Sequence, residues 1–332
     1  MLKTATKTLL AAAAALTVTA GVASAQTLTL ATDAVGTTYN AVGSGFAKVI
    51  TEGSDIRVIP RPFGGPDAYL DQLNNGELDL ATMSASSAFV SYIGRNKAKK
   101  SYKNLRLIRS GVGGLYLGFI AYQDSPIKKV SDLKGMRVAS DFGGHAIIGR
   151  SVTAALATAG LTWKDVKAVP VTGANDGVKA LEAGRVDASW ASLGQPVVRE
   201  LHAKKKIRYL GFDNTPEVIA LLRKQVFPGA KLVTVPTNPG IGIPEPTDLI
   251  NYDANLISSK DLSNEMVKKV LAAVWDNADK LVTIHRGLSG FKNDAAVTDV
   301  PMIPYHPAAI EFYKEKGIWT EAAEKANEKF MK

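Results

Sequence analysis

Residues 31–40, ATDAVGTTYN, and residues 139–147, ASDFGGHAI, each set an aspartate and a glycine-containing turn directly ahead of a helical apolar pattern. The first backbone N–H groups of a helix have no intrahelical acceptor and carry partial positive charge. Such a turn suits a small anion, a carboxylate or a phosphate-sized group. In the first copy Gly36, Thr37, Thr38 and Tyr39 supply the chemistry: two hydroxyls and an aromatic ring with a polar tip. In the second, Asp141, Gly143, Gly144 and His145 supply it, with an imidazole that titrates near neutral pH. A lone Gly-Thr-Thr helix start is an ordinary cap; the pairing is what points to a shared cleft. Neither turn has the GxxxxGK[ST] pattern of a nucleotide phosphate loop.

More polar groups fall where two later strands end. MSASSAF (83–89) places Ser84, Ser86 and Ser87 there, and WASLGQP (190–196) places Ser192 and Gln195. A micromolar ligand needs about 8 kcal/mol net, whereas a helix N-terminus gives about 0.3–1 kcal/mol when exposed and about 2 when partly buried. A charged partner would help close that gap. Arg61, in IPRPFGG, is the first candidate because a guanidinium pairs bidentately with a carboxylate; Arg109 and Arg150 stand in reserve. No HExxH or GxSxG motif and no paired metal-ligand spacing occurs, so no metal or cofactor is expected. His145 with Asp141 as an acid–base pair is the alternative reading, an enzyme on the same scaffold. His306, ahead of the last helices, reads as structural.

The elements that position these residues recur at an offset of 108. Ala31, Asp33 and Gly36 meet Ala139, Asp141 and Gly144; Pro62, Gly65, Gly76, Asp79 and Ser84 meet Pro170, Gly173, Gly184, Asp187 and Ser192. LTLAT, IRVIP and LDLATM read as strands, with helices over 37–51 and 66–75 between them. MRVAS, VKAVPV and VDASWA repeat the strands, with helices over 146–159 and 176–183. Strand–helix–strand–helix–strand predicts an open parallel α/β sheet in each half, with ligands at the carboxyl ends of the strands. Asp79 and Asp187, three residues after a glycine cap, read as fold-keeping turn residues. LYLGFIAYQD (115–124) predicts a strand crossing between halves. The expected organisation is a discontinuous lobe of residues 26–115 plus 231–332 and a continuous lobe of residues 116–230. One long helix is expected over 264–282.

The chain has 332 residues, 46% apolar, 21% charged and without cysteine, so thiol chemistry and disulfides are excluded. Residues 1–25 carry Lys3 and Lys7, an alanine-rich apolar run and an Ala23-Ser24-Ala25 ending, which reads as a signal peptide and predicts a periplasmic product. The net charge is +9. Much of it lies in NKAKKSYK (96–103) and HAKKKIR (202–208), at the ends of helical patterns, where lysines face water and complement the helix dipole. A cationic adhesin using these clusters is a weaker alternative. A nucleic-acid partner is not expected, because no basic stripe with interleaved aromatics occurs.

Taken in order, LATDAVGTTYNAVGSGFAKVI, LNNGELDLATMSAS, SDLKGMRVA, ALEAGRVDASWASLGQP and IPYHPAAIEFYKEKGIW resemble the TAXI family, solute-binding receptors of tripartite ATP-independent periplasmic (TRAP) transporters. The resemblance spans the mature chain and implies a two-lobed, hinge-closing α/β fold of the type II periplasmic-binding-protein kind. It implies capture of a small organic anion or amino acid and delivery to a membrane TRAP permease, usually fused and driven by an ion gradient. It also implies first-lobe contacts from Gly36–Tyr39 and the serines after the strand. The second-lobe turn departs from the family's Gly-Ser-Gly-Thr-like loop and has Phe142-Gly143-Gly144-His145 instead.

Overall fold

The protein is described by a computed structural model covering residues 26–330; the expected signal peptide lies outside the described residues. Among the described residues ten strands form the framework: β1 (Gln26–Thr32), β2 (Ile56–Pro62), β3 (Leu80–Ser84), β4 (Leu105–Tyr122), β5 (Arg137–Ser140), β6 (Lys167–Pro170), β7 (Ser189–Ser192), β8 (Ile207–Leu210), β9 (Lys231–Val235) and β10 (Thr247–Ser259). The main sheet runs β2-β1-β3-β10-β4-β7, with β8 also on β4 and β9 on β10. β5 pairs with β6 in parallel, and a bridge from Val138 to Ala188 ties that pair to the start of β7.

The repeat is visible in this pairing. In one lobe β2-β1-β3 lie side by side and β10 runs antiparallel to β3. In the other, β6-β5 adjoin β7, and β4 runs antiparallel to β7. Each lobe thus completes its repeat unit with a long antiparallel strand that also belongs to its neighbour. β3 and β7 are buried along their whole length, as strands covered on both faces must be. The chain takes the α/β, two-lobed fold expected from the sequence, with a cleft between the lobes.

β4 begins at Leu105, ten residues ahead of the expected crossing strand, because its first half pairs with the far end of β10 before its second half reaches β7 and β8. The return crossing begins at Thr247 rather than near Lys231. Residues 231–235 instead form β9, beside the first residues of β10, and Gly242 accepts a bond from Tyr209 of β8. Where the long strands cross, the register slips between Tyr252 and Ala254. Gly113 stands there at φ 63° with its N–H on Asp253 Oδ1 at 2.9 Å. A bulge of this kind bends paired strands.

Two aspartates hold equivalent places in the copies. Asp79 Oδ2 accepts from Thr29 N at 2.7 Å and Thr29 Oγ1 at 2.9 Å. Asp187 Oδ2 accepts from Arg137 N at 2.8 Å, and its Oδ1 takes Arg137 Nη2 at 2.6 Å. Each carboxylate supplies an acceptor to the opening backbone of its lobe's first strand. The expected long helix over 264–282 is two, Asn264–Asp276 and Ala278–Ile284. Asn277 breaks it by leaving helical geometry while its Nδ2 donates to Ala273 O. The lysine clusters face water in ordinary surface pairs, Lys100 with Asp71 and Lys204 with Glu182.

Arg137 beside Asp187, opposed by partial burial and helped by the Arg137 N–H, holds that carboxyl below the usual aspartate value. A depressed folded pKa contributes stability that is full above the unfolded value and lost as pH falls through the folded one. Asp187→Asn should therefore lower the denaturant midpoint at neutral pH. The difference from wild type should shrink as pH drops below about 4. A deficit unchanged at pH 3 would mean that the carboxylate's charge plays no part.

Candidate functional site

The first-copy turn closes around Thr37, which caps the helix Thr38–Gly53 by accepting from Asn40 N at 3.2 Å. Thr38 then points across the cleft, its Oγ1 at 2.7 Å from Ser192 Oγ at the end of β7. Tyr39 is buried beside it, its hydroxyl without a hydrogen-bond partner. Burial first, then the neighbouring Tyr252 and Asp33, push that phenol well above its ordinary range, so it stays a neutral donor. Asp33, just past β1, is 4% exposed and places Oδ2 at 3.0 Å from His145 Nε2 of the other lobe.

The second-copy turn is strained. Asp141, Phe142 and Gly143 stand at φ 68°, 54° and 46°, a left-handed run that costs roughly 1–2 kcal/mol per non-glycine residue. Phe142 is fully buried and anchors it. A side chain on Gly143 would begin 2.1 Å from Thr172 O. This contorted path delivers His145, 5% exposed, to the cleft just ahead of the helix Ala146–Thr158. Burial alone would lower the imidazolium's pKa; the Asp33 carboxylate, and Asp67 behind it, overcome that and raise it above the ordinary histidine value.

Asp67 occupies the position that the sequence reading reserves for a ligand's anion. Its Oδ2 accepts from Ala146 N at 2.8 Å, capping the second-lobe helix from the first lobe, and its own N–H donates to Gly144 O at 3.2 Å. Lys97 Nζ reaches Gly143 O at 3.1 Å beside it. The backbones here almost touch: a side chain on Gly65 would begin 2.5 Å from Gly144 O and from the His145 ring. On the opposite side of the cleft Asn175 Nδ2 donates to Val35 O at 2.7 Å, and Gln195 Nε2 donates to Asn175 Oδ1 at 2.9 Å. The lobes are closed on each other.

Between them lies a cavity of about 50 Å³, room for three to five water-sized molecules on a scale of about 10–15 Å³ each. Leu115 and Leu117 of β4, with Ile147 and Ile148, give it apolar walls. Asp33, Thr37, Thr38, Tyr39, Ser84, His145 and Gln195 line it, joined by Trp190, Ser192 and Tyr252. Four buried polar atoms on these residues have no hydrogen-bond partner: Asp33 Oδ1, Tyr39 OH, His145 Nδ1 and Trp190 Nε1. Leaving such a group unsatisfied costs about 1–3 kcal/mol. Their concentration around one cavity marks a place built for a polar guest.

Several expected residues stand elsewhere. Arg61 does not reach the cavity: it ends the edge strand β2, exposed, with its guanidinium over the Phe63 ring at 5.8 Å. Arg109 is fully buried and donates to Phe291 O and Asn293 Oδ1, holding a C-terminal segment onto its lobe. Arg150 donates to Gln225 O on an outer groove shared with Asp141 and Gly143. Asp141 is exposed and does not pair with His145, which removes the expected acid–base couple. Ser84 and Ser192 bond to Ser86, Ser87 and Thr38, not to His145. Ser86 itself is buried behind Ser84. Gly36 and Gly144 contribute backbone carbonyls to contacts between the lobes, with Val197 N and Asp67 N. Among the described residues no cluster of metal-ligating side chains occurs. His306 caps the helix Pro307–Glu315 and meets Leu262 O at 3.0 Å.

Asp67, Trp190, Asn175 and Tyr252 escape the sequence reading. Trp190 and Tyr252 carry no local signal beyond strand patterning. Asp67 and Asn175 each sit early in a helical segment following a glycine, where a polar residue reads as a cap.

Because the folded pKa of His145 is raised, the stability it contributes is full below the unfolded value of about 6.5 and is lost as pH rises through the folded one. Denaturant midpoints measured from about pH 5 to pH 9 should show this loss in wild type and a flatter profile in His145→Gln; superimposable profiles would rule the ion pair out as its source. Gly65→Ala should disfavour closure by about 1–3 kcal/mol, the range of an overpacked contact. Small-angle scattering should then report a larger radius of gyration than wild type, and an unchanged radius would show that the backbones can part without opening the cleft.

Solved structures share this architecture. One, described as a periplasmic transporter, superposes with a TM-score of 0.54 at 14% identity, covering 92% of this chain and 97% of that one. The aliphatic sulphonate binding protein SsuA of Escherichia coli gives 0.46 at 16% identity, covering 87% and 83%. The substrate binding protein of an amino acid ABC transporter gives 0.46 at 13% identity, covering 77% and 97%. At these identities the likeness concerns the fold, and the first of the three carries it: a two-lobed periplasmic-binding-protein architecture. Residues 30–317, from the middle of β1 to the turn after the helix Pro307–Glu315, match the sequence pattern of the NMT1-like family, and the chain belongs to that family.

Proposed function

We propose that the protein is an exported solute-binding receptor: it traps a small organic solute between its lobes and hands it to a membrane transporter. The observation that carries this reading is the set of four unpartnered polar atoms around a closed interlobe cavity with apolar walls. A catalytic reading lacks a hydroxyl bonded to His145, and binding needs none.

The lining narrows the solute. Among the described residues no lysine or arginine lines the cavity, and the cation His145 is already faced by Asp33. A purely anionic guest would bring a charge with no free cation to meet it, which is costly in a buried site. An amino-acid zwitterion carries its own balance. Its ammonium would donate to Asp33 Oδ1, its carboxylate would accept from Trp190 Nε1 and the Tyr39 hydroxyl, and a short aliphatic side chain would face Leu115, Leu117, Ile147 and Ile148. Of the two solute classes expected from the sequence, the amino acid therefore fits better than the simple carboxylate.

For the recipient, the sequence resemblance to TAXI receptors favours a TRAP permease, fused in the manner usual there, with the signal peptide delivering the receptor to the periplasm. Uptake into membrane vesicles supplied with the purified receptor should then follow an imposed ion gradient and persist without ATP. Uptake that requires ATP hydrolysis would assign the receptor to an ABC transporter instead.

A thermal-shift screen over amino acids, mono- and dicarboxylates and keto acids tests the solute. A ligand at 100 times its dissociation constant adds about 2.7 kcal/mol of stability. Small aliphatic amino acids should raise the melting temperature of wild type, and Asp33→Asn should abolish the shift. A response confined to dicarboxylates would overturn the zwitterion assignment.

A further inference from the structure

Behind the crossing strands is a second cavity, of about 110 Å³, on the face opposite the solute site. Successive strand residues point to opposite faces. Leu115 and Leu117 line the solute cavity, whereas Gly114 and Tyr116 line the rear one. The end of β7 and the turn after it divide as well: Ala191 and Ser192 line the solute cavity, and Leu193 and Gly194, just past the strand, line the rear one. Both lobes build this rear cavity. Arg199 comes from the helix Pro196–Lys204 that follows β7, and Arg286 from a short helical turn, Arg286–Leu288, that follows the helix Ala278–Ile284.

Several of the chain's other arginines have partners, and these two do not. Arg137 pairs with Asp187 and Arg185 with Asp176, and Arg109 is satisfied in part by buried acceptors. Among the described residues, neither Arg199 nor Arg286 forms a salt bridge or donates a side-chain hydrogen bond, and no acidic residue lines their cavity. Arg199 folds back over Gly194, one Nη lying 3.4 Å from where a side chain on that glycine would begin. Gly194, at φ 87°, gives the chain its turn there and leaves that space free. His285 adjoins the cluster: burial first, then the Arg199 guanidinium, push its pKa down, against a smaller opposing pull from the Gly194 backbone. Two like charges face one cavity, and nothing acidic lines it to balance them.

We propose that this rear cavity is a binding site for a small oxyanion, of sulfate or phosphate size, that bridges Arg286 of one lobe and Arg199 of the other. Guanidinium forks match the oxygen edges of such ions, and Ser289 on the rim adds a hydroxyl. Because the bridge spans the two lobes, the anion is sensitive to their relative position. Any coupling is mutual: the factor by which the anion changes solute affinity is the factor by which the solute changes anion affinity. The site is independent of the identity proposed for the solute.

The test is titration of the purified mature chain with sodium sulfate and, separately, sodium phosphate at constant ionic strength set by sodium chloride. The melting temperature is followed in each titration. Wild type should show a saturable rise with either ion. Arg199→Gln and Arg286→Gln should each weaken the apparent anion affinity about tenfold or more, the loss expected for a charge-assisted contact. Tyr39→Phe, which removes a hydroxyl from the solute cavity without breaking a contact between the lobes, should leave the anion response intact. Both arginines are exposed, and circular dichroism of each variant checks that the fold is unchanged. The proposal is overturned if no response exceeds the chloride control, or if the Arg199→Gln/Arg286→Gln double variant responds like wild type. It is equally overturned if Tyr39→Phe alone removes the response, because the ion would then be sitting in the solute cleft.

Discussion

The turn at 141–146 is gripped by two carboxylates from the opposite lobe. Asp33 takes the imidazole of His145, and Asp67 takes the free N–H at the start of the next helix. Helix beginnings attract negative charge, so a facing pair of such beginnings reads most simply as a place for an anionic ligand. Here the protein supplies the anions itself. What remains for a guest is an inner surface whose charges are already balanced, with single unmet donors and acceptors on apolar walls.

Closure in this molecule therefore does not rest on the solute alone. Thr38 on Ser192, Asn175 on Val35, and Lys97 on Gly143 are all contacts between the protein's own lobes. A buried ion pair such as Asp33–His145 is costly to desolvate and returns that cost only when its geometry and secondary bonds are good. Its partners leave one oxygen and one nitrogen unmet. The same pair that latches the lobes thereby exposes to the guest the atoms that recognise it, and latching and recognition share one set of residues.

The strained path through Asp141, Phe142 and Gly143 is the backbone counterpart of that grip. Left-handed geometry in two non-glycine residues persists only where the surroundings enforce it. Burial of Phe142 and the press of Thr172 on Gly143 do so here. The result turns Asp141 outward and His145 inward. On the other face of the crossing strands, the same two lobes bring arginines together with no acid between them. The cleft is charge-balanced, and the rear of the crossing is not.

The repeat at offset 108, the α/β class of each half, the hydroxyls at strand ends and the role of Asp79 and Asp187 were all legible in the sequence. They depend on local propensity, on the period of apolar residues and on turns that act within a few positions. The fate of the matched pair Asp33 and Asp141 was not legible. The repeat equates them, yet one is buried in the cleft and the other is exposed, because three left-handed residues rotate the second turn. Arg61 read as a clamp, but strand order puts it at an edge, exposed, with its guanidinium over the Phe63 ring. The contribution of Asp67, Trp190 and Tyr252 depends on which strand lies beside which and on how far the lobes close. Sequence set the parts because each part is stabilised by near neighbours; tertiary structure alone chose the site, because its charges come from opposite lobes and act only when brought face to face.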